Sequence, residues 1–419
     1  MAKHASRKKA DIKTDVLIVG GGLAGLTLAG VLGEAGIDTV IHDHAPPVTQ
    51  LAKNFDSRAT ALSFAASRVL QAAGVWDKIA AHAAPVLDIR VTDGEAPVFL
   101  HFSSDADGKG EAFGFNVENL LLRKVLFDNV KRLHKTVRHL APVKIAKFIE
   151  EKAFSGVVLE DGRRIVAPLM VGADGRGSAV RKWLGIETET SDYKQTAIVC
   201  TIAHELDHEG VATEHFLPAG PFALLPLPSG HDGAYRSSVI WTVETADAQK
   251  YLSLSTAAFD AQLQKLCGPH LGKVRCVQKP AGYPLSLMHA ASYAGPRTAL
   301  MAEAAHVIHP IAGQGLNVSM RDIAVLAELA ADSLKLGLDH GTPMLLQNYE
   351  QLRRIDAHIM AGFTDVLNRL FSNNFKSVAL ARDLGLGMVE KIAPLKGFFA
   401  SQAMGLGGRT PRIVKTGRL

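Results

Sequence analysis

Two stretches of this 419-residue chain hold residue types whose spacing could do chemistry. Residues 204 to 208 read HELDH. That matches the H-E-x-x-H pattern, in which two imidazoles one helical turn apart hold zinc and the glutamate acts as a base. Gly20, Gly22 and Gly25 have the G-x-G-x-x-G spacing, which gives a tight turn, lets backbone approach a pyrophosphate, and packs a helix closely on a strand. The elements around each pattern decide between these chemistries. QTAIVCTIAHELDH is rich in β-branched and apolar residues, which predicts a strand, and Gly210 follows too soon for a catalytic helix. No third zinc ligand on a supporting helix can be nominated, so no metal is expected. His306 and His309 are three residues apart and are expected to shape a loop rather than to bind metal.

The glycines sit in DVLIVGGGLAGLTLAGVLGEAGIDTVIHD, where an apolar run from Val16 to Val19 predicts a buried parallel strand and the pattern from Leu23 to Leu32 a helix. A second strand, Thr39 to Ile41, leads to Asp43, 18 residues beyond Gly25 and suited to accept from a ribose diol. Helix amides and dipole would face the phosphates. The competing reading is a glycine-rich turn that binds nothing, and the fingerprint alone does not separate NAD from FAD.

Two more strand ends bear on that choice. IVAPLMVGADGRGSAVR, from residue 165, runs through Ala173 to Asp174 and Gly175, then to Ser178 and Arg181 at a helix start. ALMAEAAHVIHPIAGQGLN, from residue 299, leads through Glu303 to Pro310, a Gly313-Gln314-Gly315 turn, Leu316, and a helix beginning near Asn317. Three strand ends can thus face one extended ligand, and an NAD site needs only the first.

On these residues the chain resembles the FAD-dependent aromatic hydroxylases with a single flavin, like the hydroxybenzoate hydroxylases. In that family the glycine turn, a D-G motif and a G-D motif each hold part of FAD. Gly20, Gly22, Gly25 and Asp43 match the first and Asp174-Gly175 the second, while Ala302-Glu303 stand where Gly-Asp is expected. Arg58 in DSRATALS and Asn119 in NVENLLLRKVL stand where the family places flavin-contacting side chains, although by themselves they read as a surface arginine and a helix cap. The match is nearest to the ubiquinone-biosynthesis hydroxylase branch, through DSRATALS, GVW at 74–76, HELDHEGVATEHFLPAGPFALLPLP, HPIAGQGLN, NRLFSN at 368–373 and QAMGLGG at 402–408.

The resemblance implies hydroxylation of a polyprenylated phenol or its benzoquinol relatives by dioxygen, through a flavin C4a-hydroperoxide in a dry pocket. It implies Pro310 and the amides from Gly313 to Leu316 at the flavin pyrimidine edge, with His309 as a candidate base. No second G-x-G-x-x-G turn is present, so NAD(P)H or another electron donor would bind only transiently. Rival readings are an FAD-dependent reductase of isoprenoid double bonds and a weakly active scaffold in a quinone-biosynthesis complex.

The remaining features bound the class. Hydrophobic residues at 47% and charged residues at 21% exclude disordered and fibrous proteins. No run of about 18 uncharged apolar residues occurs, so no membrane span is expected. The start, MAKHASRKKA, lacks a secretory apolar core, and with Cys200, Cys267 and Cys276 as an odd, unspaced set a cytoplasmic location is the default. A net charge of +5 fits either plain solubility or peripheral contact with the inner face of a membrane. Scattered basic residues without an aromatic platform argue against nucleic acid. The expected α/β architecture is a Rossmann-like FAD domain around a parallel sheet (12–85, 116–190, 281–345), a mostly antiparallel substrate sheet (86–115, 191–280), a helical C-terminal region (346–419) and a flexible basic tail (1–11).

Overall fold

The computed structural model describes residues 11–93, 99–107, 110–309, 311–371, 397, 401–402, 404–407 and 410–419. Pro310, most of the tail at 1–11 and part of the region beyond 371 lie outside the described residues.

Four apolar runs build the cofactor half. Val16–Val19, Thr39–His42, Leu169–Gly172 and Thr298–Leu300 are buried along their whole length, as strands covered on both faces must be. They lie in a six-stranded sheet in the order Ala294–Gly295, Thr298–Leu300, Leu169–Gly172, Val16–Val19, Thr39–His42, Val137–Leu140. All pairings are parallel except the first. The helix Leu23–Glu34 is apolar nearly all round and buries nine residues from Gly25 to Gly33. It packs on the helices Asn119–Arg132 and Gln314–Lys335. A smaller sheet carrying Ser155–Leu159 and Arg164–Ala167 touches the parallel strands.

The second half is a nine-stranded sheet centred on the long strand Thr188–His204, which pairs antiparallel with Tyr235–Glu244, Ala281–Ala290 and Val274–Cys276. Beyond Tyr235–Glu244 follow Gly220–Leu227, Val211–Leu217, Asp88–Asp93 and Phe99–Ser103, with one parallel pairing, between Val211–Leu217 and Asp88–Asp93. Ala281–Ala290 belongs to this sheet, and His306–Val307 pairs with it, so chain on the far side of residue 280 completes the substrate-side sheet. The 29-residue helix Pro343–Phe371 packs against Gln314–Lys335. Among the described residues no helix is long and apolar enough to cross a membrane.

HELDH straddles the end of the strand Thr188–His204 and is not helical. His204 bonds the Leu206 carbonyl at 2.8 Å and the Ser237 hydroxyl at 3.0 Å. His208 donates from Nε2 to the Leu227 carbonyl at 3.0 Å and accepts from the Gly210 amide at 3.1 Å. Both rings therefore use their nitrogens to fasten the strand end, and a zinc ion would have to break those bonds. His306 and His309 likewise turn to different partners, Asp322 and Gln195.

Candidate active site

One cavity of about 590 Å³ lies between the two sheets, a size within the usual range for small-molecule sites. Its lining joins three strand ends: Gly22 after the first strand, Ala173 and Gly175 after Leu169–Gly172, and Ala302 and Glu303 after Thr298–Leu300. Gly313, Gly315 and Leu316 line it at the start of the long helix, and Ala197, Val199, Leu225, Ile240 and Leu285 close it from the antiparallel sheet.

The glycine turn is held by the acid at the end of the second strand. Asp43 Oδ2 accepts from the Gly21 amide at 2.7 Å, while Oδ1 accepts from the Ala45 amide at 2.7 Å. Gly20 and Gly25 are needed for the fold itself. A Cβ on Gly25 would strike the Gly20 carbonyl oxygen, and one on Gly20 would strike the carbonyl of Ala173. Gly22 differs: a Cβ there meets nothing within 4 Å, and the same is true of Gly175 and Gly315. Three bare stretches of backbone thus face one cavity, which is the arrangement a long phosphate-bearing cofactor needs and a self-contained core does not.

Arg58 and Asn119 meet at a group the sequence reading passed over. Asp56 accepts from Arg58 Nε at 2.8 Å, from Asn119 Nδ2 at 3.0 Å and from Arg123 Nη2 at 3.5 Å. Burial works to raise the Asp56 carboxyl, but Arg58 and Asn119 outweigh it and hold it below the ordinary carboxylate range. Burial also opposes the Arg58 charge, and Asp56 again prevails, so the guanidinium stays above its ordinary value. Arg58 lies 4.8 Å from the centre of the Tyr283 ring. Arg123 Nε is buried without a hydrogen-bond partner, and the residue lines the cavity, which leaves a charged donor open to a ligand. Asp56 was legible only as the first member of a D-x-R turn.

The D-G pair divides its labour. Asp174 accepts from the Ser178 hydroxyl at 2.5 Å and from the Ala179 amide at 2.7 Å, so its carboxylate organises the helix Ala179–Trp183. Gly175, with φ +81°, faces the cavity. The Ala-Glu departure has a local consequence. Ala302 adopts φ 54°, the left-handed region that costs a residue with a Cβ about 1–2 kcal/mol. Its amide donates to Asp322 Oδ2 at 2.9 Å, while the exposed Glu303 lines the cavity.

Asp322 anchors this turn from below. It is fully buried and bonds His306 Nε2 at 2.7 Å and Arg353 Nε at 2.8 Å. Burial would raise its carboxyl, but His306 and Arg353 bring it down to about 2. The charges in MRDIAVLAEL were the available signal, since a buried helix carries an ionised pair only with partners.

The helix Gln314–Lys335 begins three residues earlier than expected, after Gly313 at φ 66°. Gln314 is buried, and Gly315 and Leu316 offer first-turn amides to the cavity. Asn317 accepts from the Ser63 amide at 2.9 Å and donates to the Ala61 carbonyl at 2.9 Å, tying the helix start to the strand Ala59–Ser63. His309 is fully buried, accepts at Nδ1 from the Ile311 amide at 3.3 Å and donates from Nε2 to Gln195 at 3.3 Å. Burial lowers its pKa to about 4, so the ring is neutral near pH 7 and both nitrogens are engaged.

Comparison with known proteins agrees with this geometry. Residues 13–363 match the family model described as FAD binding domain. Over 409 residues, covering 97% of this chain and 94% of the other, the sequence is 46% identical to ubiquinone hydroxylase UbiL of Rhodospirillum rubrum. It is 31% identical to the 3-demethoxyubiquinol 3-hydroxylase of Escherichia coli, covering 94% of this chain and 99% of that one. The fold is similar to the crystal structure of PqsL, a probable FAD-dependent monooxygenase from Pseudomonas aeruginosa, with a TM-score of 0.74 at 22% identity over 90% of this chain and 100% of the other. Motif by motif and over nearly its whole length, the chain belongs to the FAD-binding domain family and, within it, to the ubiquinone-biosynthesis hydroxylases, and it is an FAD-dependent monooxygenase.

Proposed function

We propose that this protein hydroxylates the aromatic ring of a polyprenylated phenol or benzoquinol intermediate of ubiquinone biosynthesis. The observation that carries the reading is the continuity of one cavity, from bare backbone at Gly22, Gly175 and Gly315 to an apolar floor of Ala197, Val199, Leu225, Ile240 and Leu285. The names of the relatives supply the substrate class.

In this reading Gly20, Gly22 and Gly25 present the turn to the FAD pyrophosphate, and Asp43 both fixes that turn and receives the ribose. Arg58 and Asn119, set by Asp56, lie along the flavin. Gly175 and Glu303 border its middle, with Asp174 and Asp322 shaping their turns. Gly313, Gln314, Gly315, Leu316 and Asn317 bring the positive helix end to the flavin ring. Bound FAD supplies the reaction of dioxygen and the transfer of one oxygen atom to the ring. The apolar sheet face excludes water, which protects that chemistry from wasteful loss of peroxide. His309, neutral and bonded at both nitrogens, holds the loop that precedes the helix.

Reduction comes from NAD(P)H visiting transiently or from another donor, since the sheet carries one glycine turn of this type. A lipophilic substrate and a chain of net charge +5 support peripheral contact with an anionic membrane, within or beside a quinone-biosynthesis complex. The deciding experiment expresses the protein in cells lacking each quinone-ring hydroxylation step and identifies the intermediate that disappears by mass spectrometry. Rescue of one step is expected, and rescue of none would overturn the substrate class.

A further inference from the structure

The apolar roof over the ring site contains one carboxyl group whose presence the fold does not explain. In the strand Val211–Leu217, Ala212 and Phe216 pack into an apolar cluster with Leu225 and Ile311. Glu214 is two residues from each and so points the same way, toward the site. The pairing registers place Glu214 opposite Ala223, Ala223 opposite Ile240, and Ile240 opposite Val199, so one row across four strands is Glu-Ala-Ile-Val. Glu214 lines a small cavity with His309 and Gly313, and this cavity shares Leu225, Ile240 and Gly313 with the large one.

Among the described residues no hydrogen bond or ion pair engages the Glu214 carboxyl. Glu214 is half-buried, with its carboxyl set among apolar neighbours, and an acid so placed without a partner costs stability that nothing in the strand pairing requires. The aspartates around the site are spoken for, Asp43 by two amides, Asp56 by two guanidinium groups and an amide side chain, Asp174 by a helix start, and Asp322 by His306 and Arg353, while Glu303 at the cavity is exposed to solvent.

We infer that Glu214 is the acid–base residue of this enzyme, accepting the proton of the substrate's phenolic hydroxyl as the ring is hydroxylated. The inference rests on the phenol-hydroxylase reading above. In the step, the phenol O–H bond breaks, its electron pair stays on oxygen, and the proton passes to the Glu214 carboxylate. The resulting phenolate pushes electron density into the ring, which takes up the oxygen atom that the monooxygenase reaction provides. The phenolate oxygen thereby becomes a carbonyl. The C–H bond at the newly oxygenated carbon then breaks, its electron pair restores the aromatic ring, and its proton passes through water to the added oxygen. The Glu214 acid returns its proton to the first oxygen, so that both hydroxyls are made and the carboxylate is regenerated.

Burial pushes the Glu214 carboxyl up to about 7, which matches a general base to near-neutral conditions. His309 is the other titratable group lining this cavity among the described residues, and it stays neutral above about pH 4. The facing strand and its neighbour present Ala223 and Ile240, which carry no charge. The acid limb of a pH–rate profile therefore belongs to Glu214: kcat/KM rises as pH rises through about 7, where the carboxyl becomes able to accept.

The test uses FAD-loaded protein and a short-chain 2-prenylphenol, comparing wild type with Glu214→Gln and Glu214→Asp. Glu214→Gln is expected to retain FAD, to lower kcat by about 100-fold with KM changed little, and to erase the acid limb. Glu214→Asp, with the acid one methylene further back, should recover part of the rate. Calorimetry in two buffers of different ionisation enthalpy gives a readout independent of turnover. A phenol donating to the carboxylate favours its charged form, so wild type should release protons on binding near pH 7 and Glu214→Gln should not. Equal proton release in the two proteins, or a Glu214→Gln kcat within threefold of wild type, would overturn the assignment while leaving the phenol reading intact. Failure of wild type to bind or hydroxylate the prenylphenol would overturn both.

Discussion

The two ends of the central cavity are built on opposite principles. At the cofactor end the aspartates are already engaged: Asp43 holds the Gly21 and Ala45 amides, Asp56 gathers Arg58, Asn119 and Arg123, and Asp174 caps a helix. Recognition there is left mainly to backbone exposed at Gly22, Gly175 and Gly315. At the sheet end the surface is apolar and a single carboxyl, Glu214, has no engagement among the described residues. The difference separates two tasks. A cofactor that stays needs a rigid cradle, and mutually satisfied polar groups are rigid. A substrate ring that must lose a proton needs a group held ready, and a desolvated carboxyl is ready at a cost in stability.

The largest break in this comparison comes from a single atom group at the cofactor end. Gly22→Val should fold, because a Cβ there meets open space, yet lose FAD entirely, because the branched side chain fills the path of the pyrophosphate. Absorbance of the purified protein reads the result, and a variant that keeps its yellow colour at wild-type ratio would end the cradle account. Gly25→Ala should fail differently, with little soluble protein, since its Cβ would strike the Gly20 carbonyl.

A second experiment addresses the stability cost at the sheet end. The Glu214 carboxyl rises from 4.5 to about 7 on folding, so the folded state favours the protonated form. Its contribution is fully present below pH 4.5 and is lost as pH rises through 7. Glu214→Gln should therefore match wild type in Tm near pH 4.5 and exceed it by a few degrees at pH 8, in protein freed of substrate. Equal Tm values across that range would show that the carboxyl is solvated and not held ready.

The Ala302-Glu303 turn tests how rigid the cradle is. Ala302→Gly relieves a left-handed alanine and should add about 0.5–1 kcal/mol of stability after glycine's larger unfolded-state entropy is subtracted. Combined with Glu303→Asp it should tighten FAD by about tenfold, measured by titrating apoprotein. An unchanged dissociation constant would mean that the Asp322 anchor already accommodates the pair. The smallest effect is expected outside the cavity. Changing His204 and His208 together to Ala should cost about 1–2 kcal/mol from lost buried hydrogen bonds and leave turnover and metal content unaltered. Loss of a stoichiometric zinc signal would reinstate the metal reading of HELDH.

The FAD family, the α/β class and the cofactor were legible in the sequence because each glycine motif is local. Strand, turn and helix lie within about 30 residues, and hydrophobic period and glycine spacing describe them without reference to the rest of the chain. The strand nature of QTAIVCTIAH was legible for the same reason, through its β-branched content. The roles of Asp56 and Asp322 were not. Each takes its meaning from partners far along the chain, Asn119 at 63 residues for Asp56 and Arg353 at 31 for Asp322.

The sequence by itself thus determined the cofactor and the kind of fold that cradles it, since both follow from short-range geometry. Tertiary structure alone decided which residues line the apolar end of the cavity. Glu214 is an ordinary polar letter in VATEHFL until Ala223, Ile240 and Val199 align beside it across four strands and give it an apolar, half-buried setting. The physical reason is that a carboxyl's affinity for a proton is set by its solvent and neighbours, and only the assembled sheet supplies those.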